Sequence, residues 1–323
     1  MSEPVLQMIE VQGLRMHVAI QGSGPVVLLC HGFPEGWSSW RHQIRALAEA
    51  GYRAVAPDMR GYGHTDRPSD IGQYAMTHLV GDMVGLLDRL EAKDAVIIGH
   101  DWGAPVAWHA ALWRPDRFRA VGGLSVPFYP RSAAPPSTRM PETKEAVFYQ
   151  TYFMAPGIAE AEFERDIRST LRKFQVLWSG NPTAASGGQR VMVPRQGGFL
   201  TDTPEPGVLP AWVTEADIDA YTAAFQHSGF RGPLNWYRNI DRNWEQMAPW
   251  QGVKLTTPAL YMIGDRDPVL TFRRMDRLIP GLEHAVPGLR EKHIIPNCGH
   301  WIQREQPDAV NTALLRFLGS LPS

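Results

Sequence analysis

Ala95-Val96-Ile97-Ile98-Gly99-His100-Asp101-Trp102-Gly103 decides the fold. Residues 95–99 are a short apolar run of the kind found in strands buried on both faces. Residues 104–113, closed by Pro115, read as a helix. Between them the chain must reverse from strand to helix within a few residues. Glycines two positions either side of Asp101 suit a turn in which a Cβ would clash. Such a strand-to-helix turn, a nucleophile elbow, lifts the central side chain clear of the backbone. The competing reading makes Asp101 a carboxylate that caps the helix starting at Trp102.

Working outward, strands alternate with helices. Strands are expected over residues 6–11, 14–21, 26–30 and 53–56. Helices are expected over 38–50, where Gly51 supplies a stop, and over 76–92, where Leu79, Met83, Leu86, Leu87 and Leu90 recur at helical spacing. This βαβαβ pattern predicts an α/β fold with a mostly parallel sheet covered on both faces. The pattern breaks near Val126 and resumes with strands at 258–263 and 293–295 and helices at 271–278 and 306–321. We therefore expect a core of residues 1–127 and 250–323, with a helical cap, or lid, of residues 128–249 inserted into it. Within the cap, Thr214 and Asp217 can box the start of a helix carrying Ile218, Tyr221 and Phe225 on one face. The stretch 179–210, rich in Gly, Pro, Thr and Ser, reads as a loop.

Bulk properties narrow the partners. The 323 residues carry 32 basic and 33 acidic side chains, a balance that attracts neither nucleic acid nor an anionic membrane. No apolar run is long enough to span a bilayer, and the first residues lack the marks of a signal peptide. Two cysteines, Cys30 and Cys298, read as reduced packing thiols of a cytoplasmic protein. No metal-binding spacing occurs among the 11 histidines, so no metal is expected.

The identity of residue 101 restricts the chemistry. A serine attacking an sp³ carbon would leave an ether that water does not release. A carboxylate attacking the same carbon leaves an ester, which water can cleave. Asp101 therefore predicts an alkyl electrophile, an epoxide or an alkyl halide. His31-Gly32-Phe33-Pro34 follows the strand at 26–30. The backbone N–H groups of Phe33 and Trp102 are placed to form an oxyanion hole. His300, in Asn297-Cys298-Gly299-His300-Trp301, is the candidate general base. Gly264-Asp265-Arg266-Asp267-Pro268 offers the acid that orients it; Asp267 gives the order nucleophile, acid, histidine, and Asp265 competes for the role. Some arrangements place that acid after the strand ending near Ser125, but residues 125–130 contain no carboxylate. His100 reads as structural, and Gly61-Tyr62-Gly63 as a turn.

With these residues in place, the chain resembles a soluble epoxide hydrolase of the α/β-hydrolase superfamily. The resemblance runs from Val11 to the final helix. It includes His31-Gly32-Phe33-Pro34-Glu35, Asp58-Met59-Arg60-Gly61-Tyr62-Gly63, Gly99-His100-Asp101-Trp102-Gly103, Gly264-Asp265-Arg266-Asp267 and Gly299-His300-Trp301. Similarity is greatest to the hydrolase domain of the mammalian soluble enzymes, without their N-terminal phosphatase domain. It implies an eight-stranded sheet and two catalytic tyrosines. Phe148-Tyr149-Gln150-Thr151-Tyr152-Phe153 maps the first onto Tyr149, with Tyr152 its neighbour. Gly229-Phe230-Arg231-Gly232-Pro233-Leu234-Asn235-Trp236-Tyr237 maps the second onto Tyr237. Phenols stay protonated at neutral pH and can donate to the oxygen of an opening ring. Trp37, Trp236 and Trp301 adjoin the motifs and are expected to line the pocket. The implied reaction joins a small lipophilic epoxide and water into a vicinal diol without a cofactor. A homodimer is a further expectation from the resemblance. The rival enzyme, a haloalkane dehalogenase, shares the Asp-His-Asp triad, but Phe33 stands where many carry a halide-binding Asn. A binding protein without catalysis is the rival from another class.

Overall fold

The computed structural model describes residues 3–180 and 191–322. Eight strands form one sheet: β1 (Val5–Val11), β2 (Leu14–Gln21), β3 (Val26–Cys30), β4 (Arg53–Pro57), β5 (Ala95–His100), β6 (Phe118–Leu124), β9 (Ala259–Gly264) and β10 (Leu289–Ile295). β7 (Ala146–Phe148) and β8 (Met192–Pro194) pair separately. The order across the sheet is β1-β2-β4-β3-β5-β6-β9-β10. β2 is antiparallel to both neighbours, and every pairing from β4 through β10 is parallel.

Alternation along the strands builds a core on each face. Val27, Leu29, Val96, Ile98, Leu260 and Met262 pack against α1 (Arg41–Glu49) and α13 (Pro307–Gly319). The intervening residues, such as Leu28, Ile97, Val121, Tyr261 and Ile263, join the larger cluster with α2 (Met76–Arg89) and α3 (Gly103–Trp113). Between β6 and β9 the chain forms α4 (Tyr149–Met154), α5 (Ile158–Phe163), α6 (Ile167–Leu177), α7 (Glu215–Ser228), α8 (Arg231–Arg238) and α9 (Ile240–Gln246). Their apolar residues enter that same larger cluster. Thr214 caps α7 as expected, accepting from the Asp217 N–H while Asp217 accepts from the Thr214 N–H.

Two expectations are corrected. Residues 179–210 are not loop throughout, because Met192–Pro194 forms β8 against β7. Three apolar residues pairing with a strand far away in sequence leave no local periodicity to read. Residues 181–190 of that stretch lie outside the described residues. The helix expected over 271–278 is shorter. A 3₁₀ turn covers Pro268–Thr271, Arg274 takes φ +72°, and only α10 (Met275–Leu278) is α-helical. The remaining helices are α11 (Leu282–Ala285) and α12 (Ile302–Glu305). No helix among the described residues is long and apolar enough to cross a membrane.

Candidate active site

The site lies at the carboxyl ends of β3, β5, β6 and β9, where parallel sheets present their loops. The elbow requires close packing at its base. A Cβ on Gly99 would meet the Gly103 carbonyl at 2.0 Å, and one on Gly103 would meet the Cys30 carbonyl at 2.0 Å. Asp101 takes φ +50°, a left-handed conformation that costs a non-glycine residue about 1–3 kcal/mol. Its backbone is held on both sides, with its N–H donating to the Leu124 carbonyl (3.3 Å) and its carbonyl accepting from Ala104 (3.1 Å). The capping alternative fails, since α3 has no side-chain cap.

The two Asp101 oxygens face different partners. Oδ1 accepts the Phe33 N–H at 2.8 Å. Oδ2 lies 3.4 Å from His300 Nε2, an ion-pair distance. Gly32 brings the preceding loop so close that a Cβ there would lie 2.3 Å from Oδ1. His31 is fixed in one tautomer: Nε2 accepts from the Met59 N–H, so Nδ1–H donates to the Gly32 carbonyl. Trp102, the other expected oxyanion residue, packs its ring 5.1 Å from that of Tyr237.

His300 Nδ1 faces Asp267, 3.2 Å from Oδ1 and 3.3 Å from Oδ2. Asp265 instead accepts the Cys298 N–H and is exposed. Asp267 is 1% exposed. Burial opposes its charge, but His300 and hydrogen bonds from Ser125 and Val269 hold its carboxyl below the usual value. For His300, burial disfavours the charged imidazole. The charge of Asp267, contact with Asp101 and the hydrogen bond to Asp267 outweigh it and raise the pKa to about 10.

Tyr149 and Tyr237 are buried with ring centroids 6.2 Å apart. Burial first, and then the charge of Asp101, pushes both phenols upward, so both stay protonated. Tyr149 accepts from the Gln150 amide at 3.1 Å. Tyr152 turns away and donates to Glu162 at 3.0 Å. Among the tryptophans, Trp301 lies with its ring 5.0 Å from His300 and Trp236 with its ring 6.1 Å from Trp102. Trp37 departs from expectation: it packs in the cluster of α1 and α13, on the opposite face of the sheet.

Three contacts were invisible in the sequence. Ser125 Oγ lies 3.1 Å from His300 Nδ1, and Ser125 takes φ +69° to place it there. Trp178, ending α6, accepts the His300 N–H on its carbonyl and sets its ring 5.1 Å from the imidazole. Glu35 pairs with His100 Nδ1 at 2.7 Å, and His100 Nε2–H donates to the His300 carbonyl at 2.7 Å. Burial works against the Glu35 charge, yet His100 holds that carboxyl at about 2. The absence of a carboxylate in residues 125–130 was legible; that Ser125 touches the same imidazole nitrogen depends on the register of β6.

The comparisons agree with this geometry. The alpha/beta hydrolase fold family model matches residues 25–307. "Epoxide hydrolase A" of Mycobacterium tuberculosis is 44% identical over 324 residues, 99% of each chain. "Bifunctional epoxide hydrolase 2" of Sus scrofa is 42% identical over 95% of this chain, which spans 53% of that protein. Among solved structures, an epoxide hydrolase from an endophytic Streptomyces superposes with a TM-score of 0.94 at 44% identity, covering 99% of this chain and 96% of the other. Epoxide Hydrolase A from Mycobacterium thermoresistibile gives 0.90 at 44% identity, covering 99% of each.

Proposed function

The chain belongs to the epoxide hydrolases of the α/β-hydrolase family, and on that footing we propose that its reaction runs through an alkyl ester on Asp101. The dehalogenase alternative is not favoured by these relatives. The observation that carries the mechanism is the divided carboxylate of Asp101, with Oδ1 on the Phe33 N–H and Oδ2 toward His300.

In the first step Oδ2 attacks one ring carbon and the C–O bond of the epoxide breaks. Tyr149 and Tyr237 donate hydrogen bonds to the departing oxygen, and one of them gives it a proton. Acid assistance of this kind is worth roughly 10²–10⁴-fold. Ester formation removes the Asp101 charge. His300 then loses one of the two carboxylates that held its proton, its pKa falls, and the proton it sheds restores the phenol that protonated the ring oxygen. The neutral imidazole, oriented by Asp267, takes a proton from water. That water attacks Cγ, negative charge develops on Oδ1, and the N–H groups of Phe33 and Trp102 receive it. The Cγ–Oδ2 bond then breaks, that oxygen takes up the second proton of the water, and the diol leaves with it, while the water oxygen stays in Asp101.

Single turnover in ¹⁸O water tests this. The first diol is expected to be unlabelled and the peptide containing Asp101 to gain the label. Labelled diol from the first turnover would mean direct attack by water.

We further propose that residues 128–249 act as the cap over a core of 1–127 and 250–323. Arg131 supports this boundary. It donates to the Trp244 carbonyl (2.8 Å) and to Gln251 (2.6 Å), fastening the two chain crossings to each other. Trp236 and Trp301 are proposed as pocket walls around a small lipophilic epoxide. Cytoplasmic residence is proposed from the two buried free thiols, Cys30 and Cys298. A homodimer is proposed to cover exposed Ile158 and Val208; light scattering would read it.

A further inference from the structure

The seam between α12 and the helices α6 and α7 contains a buried cation with no ion-paired carboxylate among the described residues. Arg304 is 1% exposed. Its Nη1–H donates to the neutral Gln175 amide oxygen at 2.6 Å. Its guanidinium lies near the rings of Trp212 (4.9 Å) and Tyr221 (5.2 Å). Nε and Nη2 are shielded from solvent and have no hydrogen-bond partner among the described residues. Gln175 Nε2 and Arg41 Nη1 are further buried donors in the same condition.

These groups stand on elements that pack against one another. Gln175 is fixed by its bond to Arg304. Tyr221, beside the guanidinium, shares a 2.7 Å hydrogen bond with Ser39, two residues before Arg41. α12 packs on the turn that contains Ser39 and on α1, which Arg41 begins. Burial and both guanidiniums together hold the His42 imidazole below its ordinary value.

The local carboxylates are already committed. Asp217 accepts from the Thr214 N–H, the Thr214 hydroxyl and Arg41. Glu305, next to Arg304 on α12, accepts the backbone N–H groups of Gly180, Gly299 and Trp301. Among the described residues Arg304 has no ion pair of its own and shares, at longer range, the Asp217 carboxylate that Arg41 already holds, so its buried charge is only partly offset. Such a charge is strongly unfavourable without a counter-charge. The unpartnered atoms are all N–H donors, which a spherical anion can accept from several directions at once.

We propose that Arg304, Arg41 and the Gln175 amide bind a small monovalent inorganic anion of the halide class in the seam between the sheet and the helical insertion. A cleft of ≈ 350 Å³ lined by Val208, Pro210, Trp212, Glu305 and Gln306 lies on the other side of Trp212. The bound ion ties α1 and α12 to α6 and α7. It also stiffens the chain near the base, since the Arg304 N–H donates to the Trp301 carbonyl, one residue from His300.

The test uses bromide on the full chain. Thermal unfolding is followed as gluconate, too large for the seam, is replaced by bromide at constant ionic strength. The wild-type chain is expected to gain about 2–4 °C in a saturable manner. Arg304→Gln is expected to lose that saturable gain. In gluconate alone the variant is expected to melt no lower than the wild type, because it no longer buries an unpaired charge. A crystal grown in bromide decides the matter if the variant does not fold. Anomalous scattering beside Arg304 Nε and Nη2 is the expected result. Water alone at that place, or the same bromide response in both proteins from an adventitious ion only, overturns the proposal.

Discussion

Two carboxylates face the two nitrogens of His300 and favour its protonated form, and in the proposed mechanism it becomes a base only after one of them is esterified. That dependence has a stability consequence. Its folded pKa, about 10, stands above the ordinary 6.5. The stabilisation it contributes is therefore complete below pH 6.5 and is lost as pH rises toward 10. The urea midpoint of the wild type is expected to fall between pH 7 and pH 9.5, and His300→Gln is expected to flatten that part of the fall. Equal slopes in the two proteins would remove His300 as its source. Ser125 belongs to the same constellation. Its hydroxyl supports both the Asp267 charge and the position of Nδ1, yet it touches neither Asp101 nor the tyrosines. Losing one such hydrogen bond is worth about 1 kcal/mol, or about fivefold in rate. Ser125→Ala is expected to slow ester hydrolysis by that factor and to leave alkylation unchanged in single-turnover kinetics. Equal slowing of both steps would assign Ser125 a general structural role.

The elbow works as an element because Gly99 and Gly103 leave room for backbone to pass where a side chain would clash. Gly99→Ala places a Cβ 2.0 Å from a backbone carbonyl in its own turn, which cannot swing away as a side chain can. Overpacking of this kind costs about 1–3 kcal/mol, and here the strain falls on the nucleophile. The variant is expected to lower the melting temperature and also to lose most of its alkylation rate; a lower melting temperature with full activity would mean that the turn relaxes elsewhere. This glycine requirement is why the elbow was legible in the sequence. Gly99 and Gly103 are diagnostic as residue types, and their spacing around Asp101 is local. The strands β2 and β3 were legible for the same kind of reason, and the structure reproduces their predicted bounds. Asp267 was separable from Asp265 only through burial, since both sit in one five-residue motif. β7 and β8, Ser125 and Arg304 left no local signature, because each matters through a partner distant in the chain. Trp37 shows the converse error, in which nearness along the chain was read as nearness in space.

At the scale of the molecule, Phe33 joins the catalytic core to the helical insertion. Its N–H serves Asp101, while its ring reaches Phe153, Phe163, Phe174, Phe230 and Tyr237 at centroid distances of 5.5–6.4 Å. One residue thus supports both the oxyanion side of the nucleophile and the ring of a proposed acid. The ring is 0% exposed, and truncating a buried phenylalanine costs about 3–5 kcal/mol. Phe33→Ala keeps the backbone N–H, so the resting carboxylate retains its partner. What it loses is the packing that fixes Tyr237 above Asp101. The expected outcome is a marked loss of stability in urea, together with alkylation slowed more than ester hydrolysis. In the proposed mechanism ring opening depends on the phenols, whereas ester hydrolysis depends on His300, Asp267 and backbone donors. The opposite split, with hydrolysis the more damaged step, would place the Phe33 ring in service of the oxyanion loop and not of the insertion.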